Sequence, residues 1–126
     1  MNKKLAKIRS AKFEIQERGV LNFWIHVDYE EGGSQGIGGL ALDIYDKEKE
    51  CRVGTAYGCE VIRRILLEFG VNDFSELVGK YIWVFGDGDR LNFSPTGIKR
   101  LEMDGITKGV IFGEIRKEFG EEKEYR

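Results

Sequence analysis

The sequence predicts an α+β fold: an antiparallel sheet of about five to six strands, one central amphipathic helix and a C-terminal helix. Three observations carry this. Apolar residues alternate with polar ones through much of residues 11–45, Tyr57, Val61, Ile65 and Phe69 recur at helical spacing, and Val110, Ile111, Ile115 and Phe119 form a second stripe. Strands gathered first, then helix, strands and helix, fit a sheet with helices packed to one side better than a βαβ alternation. With 126 residues the chain is one domain. Residues 1–103 are expected to form the sheet-plus-helix core, and 104–126 a C-terminal helix and a polar tail.

Ala11, Phe13 and Ile15 alternate with Lys12, Glu14 and Gln16, the period of a half-buried strand. Glu17-Arg18-Gly19 turns the chain into Leu21, Phe23, Ile25, Val27 and Tyr29, with Asn22, Trp24, His26 and Asp28 on the opposite face, so the two runs form a hairpin. The next stretch, GGSQGIGGL at residues 32–40, has the composition of a phosphate-cradling loop. Such a loop needs a helix after its glycines, and here LALDIYD keeps alternating and the lysine of a Walker motif is missing. A glycine-bearing strand over residues 36–45 is the better reading. Its glycines mark either a bulge or a flat floor where a ligand or another backbone comes close.

Lys47 to Glu50 read as a charged loop. The helix from Tyr57 to Phe69 ends at Gly70, with Arg63, Arg64 and Glu68 on its wet face. Asn72 to Leu77 reads as a capped single turn. Tyr81 to Phe85 is apolar on both faces, which predicts a central strand covered on each side by the helix or by another subunit. GDGD at 86–89 turns into Arg90, Leu91, Asn92 and Phe93. Pro95 and Gly97 are expected to break the chain before a last short strand at Ile98–Leu101. A second helix is expected within Lys108–Gly120, covering the sheet or docking on another copy.

Composition narrows function. No apolar run approaches the roughly 20 residues of a membrane span, and MNKKLAKIRSAK lacks the apolar stretch of a secretory signal, so a cytoplasmic protein is expected. The net charge of −2 supplies no global basic field for a long nucleic acid. Lys3, Lys4, Lys7, Arg9 and Lys12 nevertheless crowd the start, where they read as a solvated end. Cys51 and Cys59 are too far apart for a CxxC pair, and the lone His26 leaves too few ligands for zinc, so neither a metal nor a cofactor is predicted. Asp87 and Asp89 lack the rest of a calcium-loop pattern.

The residues that could carry chemistry are poor in catalytic groups and richer in binding groups. His26 with Asp28 could form part of a hydrolytic site. Trp24 stands on a polar strand face, where a large aromatic side chain marks a binding surface. Arg63, Arg64, Arg90, Asn92, Phe93 and Arg100 could offer stacking, amide hydrogen bonds and forked donors to a phosphate. Each also has a plain structural role open to it. Arg63 and Arg64 also read as a solvated helix face, Trp24 as a subunit contact and Asn92 as a turn residue. Together they favour a small nucleotide-like anion over a long polymer.

The order AKIRSAKFEIQERGVLNFWIHVDYEEGGSQGIGGLALD, YGCEVIRRILLEFGVNDFSELVGKYIWV and LNFSPTGIKRLE resembles a family of small proteins encoded by phages and prophages. The likeness spans about residues 5–103 and includes the GV-x-x-x-x-x-LVGK connection after the helix. It extends to the Thoeris anti-defence sponge proteins. That resemblance implies a homo-oligomer that binds a cyclic ADP-ribose signal near a subunit boundary, through aromatics, arginines and an asparagine, without cleaving it. Asn92 in RLNF is the position that best matches, with Trp24, Arg63, Arg64 and Arg90 beside it. The expected function is therefore sequestration of a cyclic nucleotide immune signal by a non-enzyme. The alternatives are a protein-binding inhibitor of a host defence complex, using the Trp24 face, and a small hydrolase working through His26 and Asp28.

Overall fold

The computed structural model describes residues 2–89, 91–101 and 108–120. A six-stranded antiparallel sheet runs in the order β3-β2-β1-β6-β7-β8. The strands are β1 (Asn2–Ile15), β2 (Leu21–Tyr29), β3 (Ser34–Gly38), β6 (Tyr81–Asp87), β7 (Ser94–Arg100) and β8 (Val110–Ile111). A separate ribbon pairs β4 (Asp43–Asp46) with β5 (Cys51–Gly54). Helices α1 (Ala56–Phe69) and α2 (Phe112–Phe119) pack together and lie on one face of the sheet, which makes the fold α+β as expected.

The core sits between that sheet face and the helices. Ala6, Ile8, Phe23, Ile25, Val27, Ile37, Ile82, Val84 and Ile98 meet Tyr57, Val61 and Ile65 of α1 and Ile115 of α2, all buried. Alternation in β2 is therefore real, and its polar half faces away from the helices. Thr55 caps α1 by accepting from the Gly58 N–H at 2.9 Å, and Gly70 ends it in the left-handed conformation at φ 63°. The expected single turn at Phe74–Leu77 carries a full capping box, with Asp73 accepting from Ser75 and Glu76 reaching back to the Asp73 N–H. The hydrogen bonds from Ser75 hold the Asp73 carboxyl below its ordinary range.

Several expectations need correction. The lysine-rich start is no loose end: it is the first half of β1, the strand between β2 and β6, with Ala6 and Ile8 in the core. The glycine-bearing strand does not run from 36 to 45. It stops at Gly38, because Gly38 and Gly39 adopt φ of 118° and 69°, and Asp43 begins a different ribbon. Lys47 to Glu50 turn that ribbon, but β5 was not foreseen. Pro95 and Gly97 do not break the chain. Pro95 lies inside β7 beside a register shift at Phe85/Gly86, where a missing N–H costs the ladder least. Val110 and Ile111 are not helical; they pair with Gly97 and Ile98, and α2 starts only at Phe112. Finally, β6 is central, but among the described residues helices cover it on one side only. Ile82 and Val84 are buried, whereas Tyr81 is 44% exposed and Trp83 and Phe85 are half-buried. No helix among the described residues is long and apolar enough to cross a membrane.

Candidate functional site

The sheet face turned away from the helices is not covered by any described helix. Strand pairing puts its side chains in cross-strand rows. Gly38, Trp24 and Lys12 form one row, and Gly36, His26 and Ser10 the next. Ser34, Asp28, Lys7 and Tyr81 follow, then Leu5, Trp83 and Lys99, and last Lys3, Phe85, Gly97 and Ile111.

The centre of interest is Trp24, which stacks on His26 with ring centroids 5.7 Å apart and planes 19° from parallel. The indole lies over β3 because the facing positions have no side chains. A Cβ on Gly36 would stand 3.0 Å from the Trp24 Cε3 and Cζ3 atoms, and one on Gly39 would stand 2.6 Å from Cη2. Gly36 and Gly39 of GGSQGIGGL thus seat a tryptophan flat against the sheet. His26 Nδ1 lies 3.2 Å from the Ser10 hydroxyl. Asp28 is turned elsewhere: it accepts from the Ser34 hydroxyl at 2.7 Å and meets Arg9 at 3.9 Å. The described contacts therefore pair His26 with Ser10 and stack it on Trp24, and they do not join His26 and Asp28 into the acid-base relay that a hydrolytic triad requires.

A Gly36→Val substitution tests the seat directly. Strand propensity favours valine at this extended position, yet its methyls must displace the indole. Stability is expected to fall by about 1–2 kcal/mol in urea unfolding, and Trp24 emission, read in a Trp83→Phe background, to shift to the red. A gain in stability would show that the glycine is not there for the ring.

Along the same face, β6 carries a second aromatic group. The Lys3 ammonium sits 4.3 Å from the centre of the Trp83 ring, and that of Lys7 5.6 Å from Tyr81. Lys3, Lys7, Arg9, Lys12 and Lys99 bring positive charge to this side, against Glu14 and Asp28. A whole-chain charge of −2 averages this asymmetry away.

Of the described residues singled out from sequence for ligand binding, only Trp24 stands on this face, with His26 and Asp28 of the hydrolytic alternative next to it. Arg63 and Arg64 belong to α1, on the helix side. Arg64 bonds Glu60 at 2.7 Å and Glu118 of α2 at 3.0 Å, so its fork joins the helices; these hydrogen bonds raise its pKa and lower that of Glu118. Arg63 is exposed, 3.4 Å from Glu60. Asn92 is exposed in the β6–β7 turn, where its N–H and that of Leu91 donate to Asp89, the role of a turn residue. Phe93 is only 7% exposed, edge-on to Tyr29 and beneath the Lys4 ammonium, and so belongs to the core rather than to a stacking surface. Burial also pushes the Tyr29 phenol up to about 12, which keeps it a donor to Gln35. The Arg100 N–H donates to Glu68 at 3.0 Å, and its side chain lines a hollow with Phe69, Lys80, Tyr81 and Leu101. Arg90 lies outside the described residues. Arg63, Arg64 and Arg100 are not brought to Trp24. The structure instead brings to it His26, read from sequence only as a hydrolytic group, the lysines of β1, read only as a solvated end, and Ser10, which was given no role.

On the helix side, an apolar groove of about 640 Å³ runs between the β1–β2 hairpin and α1, lined by Phe13, Leu21, Leu42, Ile62, Leu66 and Leu67, with Arg63 at its rim. Among the described residues, no group of His, Cys, Asp or Glu side chains could hold a metal ion. No family model, curated protein or solved structure matches the chain. The fold and the site define it as an α+β protein with helices on one sheet face and an aromatic, cationic surface on the other.

Proposed function

We propose that the protein binds a small nucleotide-class anion on its open sheet face and holds it without cleaving it. The Trp24–His26 stack on its glycine seat carries this reading, since a flat, fixed aromatic platform gives a base somewhere to stack and needs no reorganisation on binding. Lys12, beside Trp24, and Arg9, next to Ser10, place cations where the ligand's phosphates would lie. The likeness to Thoeris sponges makes a cyclic ADP-ribose isomer the ligand of choice, captured in the cytoplasm of an infected host by a homo-oligomer.

Calorimetric titration with cyclic ADP-ribose isomers and cyclic dinucleotides tests this, followed by heat denaturation and chromatography of the released ligand. Tight binding with intact ligand recovered is expected. Trp24→Ala should weaken binding about 5- to 150-fold, the equivalent of about 1–3 kcal/mol of stacking. Cleaved ligand, or an unchanged affinity in the variant, overturns the reading. Light scattering with and without ligand reads the oligomer.

The apolar groove favours a second reading, a protein-binding inhibitor. Phe13 and Leu67 stay 44% and 62% exposed, more apolar surface than a chain with no macromolecular partner needs there. Such a protein would comigrate with its target and be indifferent to Trp24→Ala.

A further inference from the structure

The open face is longer than one nucleotide. Besides Trp24 and His26 on β2 it carries Tyr81, Trp83 and Phe85 on β6, with β1 between them. Along β1, His26 stands opposite Ser10 and Tyr81 opposite Lys7, and the register shift between Ile8 and Ser10 makes this two residues along β2, from His26 to Asp28, so the nearest rings of the two groups are separated by two residues along the sheet and two strand spacings across it. That is about 12 Å, and from Trp24 to Trp83, six residues along and the same two spacings across, it is about 22 Å. The span from Trp24 to Trp83 exceeds the reach of a single base and its phosphates.

Between the two groups lies positive charge. On β1, Lys12 is in the Trp24 row, Lys7 in the Tyr81 row and Lys3 in the Phe85 row, while Lys99 on β7 adds to the Trp83 row from beyond β6. Lys3 and Lys7 rest their ammonium groups against Trp83 and Tyr81. An arriving base would take the ring face and leave the ammonium to a phosphate. Aromatic rings at intervals with cations between them are what a single strand of nucleic acid recognises, with stacking indifferent to sequence and charge following the backbone.

We infer that this face binds a short single-stranded oligonucleotide running diagonally from Trp24 and His26 to Tyr81 and Trp83. This rests on the nucleotide reading above and names a longer ligand for the same face. RNA and DNA share the required chemistry, so both belong in the test.

Fluorescence anisotropy of the full chain with labelled di- and hexanucleotides, ribose and deoxyribose, over a salt series decides it. The hexamer is expected to bind at least about 10-fold more tightly than the dimer, one additional stacked base being enough for that ratio. Its log affinity should fall with log salt at a slope of roughly −2 to −3, as for about three to four neutralised phosphates on a single strand. Trp83→Ala and, separately, Lys7→Glu should collapse the hexamer's advantage; Lys7 is exposed, so a fold intact by thermal melting keeps the second variant informative. Equal affinity for both lengths overturns the inference and leaves the nucleotide reading standing. No binding of any nucleotide, including the cyclic ones, overturns both. Self-association abolished by Lys7→Glu, with no oligonucleotide bound, overturns the inference in favour of a second copy on this face.

Discussion

Asp43→Ala is expected to destabilise the protein by about 2–4 kcal/mol, the range for removing one partner of a largely buried ion pair. Asp43 is 7% exposed and does three things at once. One carboxylate oxygen takes the Arg52 guanidinium at 2.8 Å, the other accepts the Leu21 N–H at 3.1 Å, and its carbonyl accepts from Arg52 again. The β4–β5 ribbon is thereby tied to the first residue of β2. The hydrogen bond to Asp43 raises the Arg52 pKa against the opposing effect of burial, so the guanidinium stays charged and would be left without its counterion in the variant. The Leu21 N–H would lose its acceptor as well, a cost of about 1–3 kcal/mol by itself if water cannot replace it.

Urea unfolding measures the loss, and Asp43→Ala with Arg52→Met tests its cause. If the orphaned charge dominates, the double variant recovers much of the stability; if the Leu21 N–H dominates, it recovers little. Asp43→Asn should fall between wild type and alanine, because the amide oxygen can still accept from Leu21. A loss below about 1 kcal/mol in Asp43→Ala would mean that the ribbon is held by its backbone contacts instead. The variant also bears on the groove, since Leu42 and Gly54, at either side of this ion pair, form one of its walls.

How far the fold could be read from sequence depended on whether a local signal matched a local cause. Alternation in β2, the helix from Thr55 to Gly70 and the Asp73 capping box are set by residues within a few positions of each other, and all three were legible. The first ten residues failed for the opposite reason. Lys3, Lys4, Lys7 and Arg9 looked like a charged end because nothing local shows that Ala6 and Ile8 are core or that β6 will pair alongside. The glycines of this stretch were recognised as needing a cause, but the cause at Gly36 is Trp24, twelve residues upstream and adjacent only once β2 and β3 pair. Trp24 itself stood out as an aromatic on a polar face. The arginines chosen to accompany it were selected by type, and type says nothing about which layer a residue joins; α1 carries Arg63 and Arg64 to the far side of the sheet.

Gly58→Ala makes the same point about distance, with the sign of local propensity reversed. Alanine in place of glycine in a helix ordinarily stabilises by about 1 kcal/mol. Here a loss of about 2–3 kcal/mol is expected, toward the upper end of the cost of overpacking. Gly58 is buried in the first turn of α1, and a Cβ there would stand 2.8 Å from the Leu42 Cα and closer still to its carbonyl oxygen. That carbonyl cannot easily retreat, for it accepts from both the N–H and the hydroxyl of Thr55, the residue that caps the helix. The methyl group must therefore push the start of α1 away from residues 40–42 and open the groove at the same place. Gly113→Ala in α2 is the control. Nothing lies within 4 Å of its added Cβ, so the ordinary helix gain should appear there. Thermal unfolding of the pair separates contact from propensity: a fall for Gly58→Ala beside a rise for Gly113→Ala is expected. A rise for both would mean that α1 docks loosely enough on Leu42 for the groove beside it to widen at little cost.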